Sequence, residues 1–121
     1  MMVSDTHRYR AQRVLHGEHW LDDAVVTVVD GIIDAIEPFD QQRHDNTTDL
    51  GQVSLMPGLI DTHVHGAKGC DVMDAEHSSL DTMSRFFASQ GVTAFVATTV
   101  TAPVSKIRAA LQQVAKSKQC G

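Results

Sequence analysis

Pro57-Gly58-Leu59-Ile60-Asp61-Thr62-His63-Val64-His65-Gly66 stands where the chain changes from one kind of architecture to another. Because side chains alternate between the two faces of an extended strand, Asp61, His63 and His65 are predicted to project to the same side. Two imidazoles on one face can bind a single metal ion. Gly66 then allows the strand to turn where a ligand approaches the backbone. The pattern therefore predicts part of a metal site at the end of a strand.

The residues around the histidine pair favour this interpretation. A His-x-His pair by itself is commonly two solvated histidines, because short motifs match by chance. Here Leu59 and Ile60 predict a buried lead-in, and Pro57-Gly58 marks its start. Gly69 and Asp71 indicate a loop at its exit. A histidine pair at the end of a buried strand is more typical of a metal site than of an ordinary surface.

Upstream of this stretch the sequence predicts antiparallel strands. Residues 9–15 are expected to form a short strand, and residues 24–29 form a β-branched run. Asp30-Gly31 separates that run from residues 32–36, which is a strong hairpin signal because a type I′ turn needs positive φ at both central residues. Pro38 ends the second arm, and residues 40–49 are predicted to be an exposed loop. The chain up to Leu55 is therefore expected to be all-β and antiparallel.

Downstream of this stretch a helix and a strand are predicted. Ser78 and Ser79 offer N-caps for a helix that runs to Gln90, and Gly91 supplies its C-terminal stop. Apolar residues recur along it at helical spacing and predict a buried face. These residues are Leu80, Met83, Phe86 and Phe87. The strand over residues 92–100 is apolar or small on both faces, as a covered parallel strand should be.

A second helix follows that strand. Pro103 suits its first turn, and apolar residues predict one buried side. These residues are Val104, Ile107, Leu111 and Val114. The β-α-β-α order predicts an α/β fold, namely the start of a parallel layer such as a TIM (β/α)8 barrel. Such a barrel needs about 250 residues, so we expect this chain to be the first part of a larger protein.

Composition excludes several classes of function. The chain has 121 residues, 42% hydrophobic and 21% charged, with a formal net charge of −5. These values are typical of a globular domain, and no basic patch with interleaved aromatics favours nucleic-acid binding. No apolar run would span a membrane, and no secretory signal is expected. Cys70 and Cys120 are expected to be free thiols in a reducing cytoplasm, with Cys70 as an alternative metal ligand.

With these residues in view, the chain resembles the amidohydrolase superfamily of metal-dependent hydrolases. "PGLIDTHVHG", "HGAKGCDVMDA" and "QGVTAFVATTVTAP" are similar to the family of N-acetylglucosamine-6-phosphate deacetylases. The resemblance implies a TIM barrel and a small β-sandwich domain, with residues 1–56 as the N-terminal sandwich segment and residues 57–121 as the first two βα units. It also implies a cytoplasmic homo-oligomer that uses a divalent metal ion to remove acetate from a phosphorylated amino sugar.

The resemblance implies roles for particular residues. His63 and His65 match a metal-binding pair, and Asp61 matches an acid that orients a ligand or ties the strand to the barrel. Asp71 and Asp74 are more simply explained by loop capping than by substrate contact. The general-base Asp and the remaining ligands are expected beyond Gly121, so this chain alone is expected to be inactive. The remaining histidines are interpreted as solvated loop or strand residues: His7, His16, His19, His44 and His77.

Other interpretations stay open. The chain could come from another amidohydrolase, such as a dihydroorotase, a dihydropyrimidinase or an adenine deaminase. It could also be a truncated, non-catalytic remnant, whose uncovered apolar faces would favour association. An unrelated small α/β domain is a further alternative. The metal is equally open, because imidazole suits zinc, iron, cobalt and nickel alike.

Overall fold

The computed structural model describes residues 4–119, which form two compact units that meet in sequence at Pro57 and Gly58. Together they give a mixed α/β chain. Cys120 lies outside the described residues. Within residues 4–119, no helix is long and apolar enough to cross a membrane.

The first unit is one five-stranded sheet. Its strands are β1 (Thr6–His16), β2 (His19–Val29), β3 (Ile32–Pro38), β4 (Thr48–Asp49) and β5 (Ser54–Leu55). The order is β3-β2-β1-β4, and β5 also pairs with β1. The predicted hairpin between β2 and β3 is confirmed. Asp30 and Gly31 both have positive φ, 51° and 79°, as a type I′ turn requires.

One prediction for this unit is wrong, because the sheet is not wholly antiparallel. β4 and β5 pair with β1 in parallel. After Pro38 the chain crosses a loop and returns along the free edge of β1, where the backbone N–H of Leu50 donates to the carbonyl of Arg10. Buried aliphatic side chains of β1 and β2 form the core of the unit. They are Ala11, Val14, Ala24 and Val26.

The interpretation of His44 as a solvated residue is also wrong. Only 5% of this residue is exposed, although it lies in the loop predicted to be exposed. Its Nδ1 accepts from the backbone N–H of Asp40 (2.9 Å), and its Nε2 lies 2.7 Å from Oε1 of Glu37. These two partners satisfy both ring nitrogens, which allows the imidazole to be buried.

The second unit is built on a parallel pair of strands with helices. It contains β6 (Leu59–Val64), the short hairpin β7 (Gly66–Ala67) and β8 (Cys70–Asp71), a 3₁₀ turn (Val72–Asp74), α1 (His77–Ser89), β9 (Val92–Ala97) and α2 (Val104–Gln119). β6 pairs with β9 in parallel, as predicted. The core is formed by buried residues of strand, turn and helices. They are Val64, Val72, Leu80, Met83 and Ala110.

The predicted start of α1 is wrong by two or three residues. The helix begins at His77 and its N-cap is Glu76, rather than Ser78 or Ser79. Ser79 lies inside the first turn of α1, where its hydroxyl donates to Oδ2 of Asp74 (2.8 Å). The predicted stop is confirmed, since Gly91 follows the helix with φ of 80°.

Burial on β6, β9 and α2 differs from the prediction. Leu59 is 56% exposed and Ile60 is 67% exposed, although both are predicted to be buried. Within residues 4–119, β6 has only β9 beside it, and the helices cover one face of this pair. β9 is predicted to be covered on both faces, yet Val96 is 53% exposed. On α2 the buried residue is Ala110, while Leu111 is 54% exposed.

Candidate metal centre

His63 and His65 meet at the carboxyl end of β6. Their Nε2 atoms are 3.0 Å apart, and the two rings lie edge to face with centroids 4.8 Å apart. His63 is exposed and His65 is half-buried. The structure therefore brings together the two residues that the sequence singled out, with one nitrogen of each ring directed at the same point.

The strand that carries the histidines does not alternate regularly. Asp61 is opposite Phe95 on β9, whereas Val64 is opposite Ala97, so β6 uses one residue more than β9 between these two pairs. Such a bulge breaks the simple alternation of side chains and redirects the chain locally. The convergence of the histidines therefore depends on this irregularity as well as on the spacing of the motif.

Asp61 acts on the backbone of the strand. This half-buried residue accepts a hydrogen bond from the backbone N–H of His63 at Oδ1 (3.1 Å). A carboxylate that bonds to the N–H two residues ahead is a local turn-forming contact. In the described contacts Asp61 therefore holds the backbone of His63 in the irregular part of β6.

The ring of His65 is oriented by the backbone of the next strand. Its Nδ1 lies 2.9 Å from the carbonyl oxygen of Thr98. A carbonyl oxygen can only accept, so Nδ1 carries the hydrogen, and in the neutral ring Nε2 is the unprotonated nitrogen. Nε2 of His65 therefore accepts from Nε2 of His63. A cation bound between them would also need Nε2 of His63 to be free of hydrogen, because a neutral imidazole binds metal through its unprotonated nitrogen.

A capped loop holds the backbone of His65 from the other side. The carbonyl of His65 accepts from the N–H of Val72 (2.8 Å), the first residue of the 3₁₀ turn. Asp71 caps that turn by accepting from the N–H of Met73 (2.7 Å), and Asp74 returns a bond to the N–H of Asp71 (2.8 Å). The capping role predicted for Asp71 and Asp74 is confirmed.

The charge on Asp74 is part of this arrangement. The backbone N–H of Asp71, and then the hydroxyl of Ser79, hold the pKa of Asp74 below its ordinary value. Hydrogen bonds to the ionised form favour that form. The loop is thereby tied to α1 through Ser79, a contact that the sequence did not indicate, since Ser79 is predicted to be an N-cap.

The donor set fits part of a metal centre. Two nitrogens that share a tetrahedral zinc ion at about 2.0–2.1 Å lie roughly 3.3 Å apart, so the 3.0 Å separation needs only a small opening. Within residues 4–119, however, no group of three or more His, Cys, Asp or Glu side chains could hold one ion. Cys70, a free thiol, is therefore not joined with the histidines in such a group.

Comparisons with known proteins show what the chain is similar to. No protein-family model matches the chain. The chain is 70% identical over 119 residues to the N-acetylglucosamine-6-phosphate deacetylase of Vibrio furnissii. This match covers 98% of the chain and 30% of that protein. The chain is 45% identical over 116 residues to the N-acetylgalactosamine-6-phosphate deacetylase of Escherichia coli O157:H7, which covers 96% of this chain and 30% of that protein.

A solved structure shows the same fold. The N-acetyl-D-glucosamine-6-phosphate deacetylase of Mycobacterium smegmatis, in complex with N-acetyl-D-glucosamine-6-phosphate, matches 96% of this chain and 30% of its own with a TM-score of 0.84 at 22% sequence identity. The chain thus spans about 30% of the length of the two curated relatives from Vibrio furnissii and Escherichia coli. It corresponds to their N-terminal portion.

Proposed function

We propose that this N-terminal portion of an N-acetylglucosamine-6-phosphate deacetylase supplies two ligands to the catalytic metal of the whole enzyme. The whole enzyme would hydrolyse the amide of N-acetylglucosamine 6-phosphate, so that water adds across the C–N bond and gives acetate and glucosamine 6-phosphate. The observation that carries the proposal is the 3.0 Å approach of Nε2 of His63 and Nε2 of His65. The 70% identity to a deacetylase supports it.

The residues of this chain would bind and orient. His63 and His65 would hold a divalent ion such as zinc, iron or cobalt, and Asp61 would keep the backbone of His63 in place. A divalent ion in such a site polarises an amide carbonyl and makes water a stronger nucleophile at neutral pH. His63 would bind the ion as the tautomer that carries its hydrogen on Nδ1, because a ligating ring nitrogen carries no hydrogen.

We further propose that the second unit is the start of a TIM barrel and the first unit is the N-terminal segment of a β-sandwich. The order β6-α1-β9-α2, with parallel strands, is that of two βα units. The histidines lie at the carboxyl end of β6, the end at which barrel enzymes build their sites. Exposed apolar residues such as Ile60 and Leu111 support this assignment, since a neighbouring strand and helix would cover them.

We propose that the isolated 121-residue chain is not a competent enzyme. Catalytic zinc sites usually take three protein ligands and leave one position for water, whereas His63 and His65 supply two. The general base and the remaining ligands would come from the rest of the barrel. We also propose that the whole enzyme is a cytoplasmic homo-oligomer. Light scattering of the purified full-length protein would test its oligomeric state.

A second candidate substrate is N-acetylgalactosamine 6-phosphate. The relative from Escherichia coli O157:H7 carries that specificity in its name and is 45% identical to this chain. The two sugars differ only in the configuration of one hydroxyl, while the amide that is cleaved is the same. The chemistry proposed for His63 and His65 would therefore serve either sugar.

The test uses the full-length protein. Purified enzyme loaded with Zn²⁺ is assayed for acetate release from each of the two sugar phosphates. In the variants His63→Asn and His65→Asn, we expect the rate of acetate release to fall by more than the roughly 10–100-fold that loss of an outer-shell partner costs. Both variants should also bind less zinc. His16→Asn, at the exposed end of β1, is the control and should behave like the wild type. Full activity and zinc content in both histidine variants would overturn the proposal.

A further inference from the structure

We propose that Thr98 is a positioning residue that selects the metal-binding tautomer of His65. The inference rests on the proposed function, because it concerns how one of the two proposed ligands is prepared. Thr98 follows directly after β9 and is half-buried. Neither the motif around the histidines nor the comparisons assign it a role.

The first step is the bond from the ring to the backbone. Nδ1 of His65 donates to the carbonyl of Thr98 at 2.9 Å, which leaves Nε2 without a hydrogen. A metal-bound histidine commonly donates its other ring N–H to a carbonyl or a carboxylate, and this bond sets its tautomer and its orientation. Thr98 offers this partner from a different strand, so the ring is held before any ion binds.

The second step is what holds that carbonyl in place. The hydroxyl of Thr98 accepts from the N–H of Val64 (3.2 Å) and donates to the carbonyl of Val96 (3.0 Å). The N–H of Thr98 itself donates to the carbonyl of Val64 (2.7 Å). The hydroxyl therefore bridges two groups that belong to the opposite strands of the parallel pair. Together these bonds fix the last rung of β6 and β9, from which the carbonyl of Thr98 reaches the ring.

The third step explains why the side chain must be threonine or serine. Valine has the same shape but no hydroxyl, so Thr98→Val would leave the N–H of the buried Val64 without this acceptor. The end of β9 would then shift or loosen, and with it the carbonyl that holds His65. Serine retains the hydroxyl and should preserve the arrangement.

The same pair of strands provides a matched control. The hydroxyl of Thr93 donates to the carbonyl of Leu59 (3.4 Å), at the end of β6 and β9 that lies away from the histidines. Thr93→Val removes a hydroxyl that also crosses between the strands, so it reproduces a general weakening of the pair. It leaves the bond between His65 and Thr98 untouched.

The experiment compares full-length wild type with Thr98→Val, Thr98→Ser and Thr93→Val. Zn²⁺ affinity is measured by competition with a chelator, and the His65 tautomer is read from ¹⁵N chemical shifts of the metal-free protein. We expect Thr98→Val to weaken zinc binding about tenfold, the lower end of the range for such partners, and to mix the two tautomers. Thr98→Ser and Thr93→Val should keep the zinc affinity and the His65 tautomer of the wild type.

Two results would overturn the proposed role of Thr98. Unchanged zinc affinity and an unchanged tautomer in Thr98→Val would overturn the inference, and so would an equal loss of affinity in Thr93→Val. The proposed function fails separately, if the wild-type protein neither binds Zn²⁺ nor releases acetate. In that case a shift of the His65 tautomer in Thr98→Val alone would still support the role of Thr98.

Discussion

Replacing Gly66 by alanine should destabilise the loop that holds His65. A Cβ at this position would overlap the carbonyl oxygen of Cys70 and lie 3.2 Å from Cα of Asp71. Both are backbone atoms of β8, which cannot move aside as a side chain would. Gly66 does not have a positive φ, so its backbone conformation alone would accept alanine. The overlap therefore decides the sign of the effect.

The magnitude follows from two opposing contributions. At a compatible backbone position, Gly→Ala stabilises a protein by about 0.4–1 kcal/mol. Forcing extra atoms into a filled space costs about 1–3 kcal/mol. Gly66→Ala should thus lower the free energy of unfolding by roughly 1–2 kcal/mol. Moving β8 also displaces Val72, whose N–H bonds to the carbonyl of His65 (2.8 Å), so zinc affinity should fall as well.

The assay is urea unfolding of the metal-free full-length protein, followed by zinc competition with a chelator. Gly69→Asn is the matched control at the tip of the same hairpin. A Cβ there meets nothing within 4 Å, and asparagine tolerates the positive φ of 77°. A Gly66→Ala variant more stable than the wild type would refute the packing argument. A destabilised variant with normal zinc affinity would refute the link from the loop to His65.

Three further predictions concern packing and pH. Met83→Ala should cost about 2–5 kcal/mol in urea unfolding because its fully buried side chain leaves a cavity. A bond from His44 holds the pKa of Glu37 below its ordinary 4.5. The stabilisation that the ionised Glu37 provides should thus be present above pH 4.5 and be lost as the pH falls through the lowered pKa. Glu37→Gln should reduce this acid dependence in unfolding curves. Asp74→Asn should likewise reduce acid sensitivity in unfolding curves and weaken zinc binding in the chelator assay, and unchanged zinc affinity would contradict a role of Asp74 in holding the loop.

Features set by neighbouring residues could be predicted from the sequence. The turn at Asp30-Gly31 and the end of α1 at Gly91 depend on which residues accept positive φ, a property of the residue itself. The buried positions Leu80 and Met83 follow from the period of one helix. The two histidines are also close in sequence, but their approach depends in addition on the irregular register between β6 and β9.

Burial was predicted less well because it depends on what covers a residue. Ile60 and Leu111 are apolar, but in the described structure no element covers them as the predictions required. His44 shows the opposite case, since a polar ring is buried where Glu37 and the backbone of Asp40 satisfy it. A sequence indicates how costly exposure or burial would be for a side chain. It does not contain the position of the partner.

The bond between His65 and Thr98 marks the limit of what the motif could tell. These residues are 33 positions apart, and they meet only because β9 pairs with β6 in one particular register. A shift of that register by one residue would reverse the facing of every side chain on β9 and move the carbonyl of Thr98 away from the ring. His65 would then keep its place in the motif and lose the bond that leaves Nε2 unprotonated. Whether a His-x-His pair is prepared to bind a metal therefore depends on two strands. The second strand contributes through a backbone carbonyl, and the sequence of the motif does not indicate where that carbonyl lies.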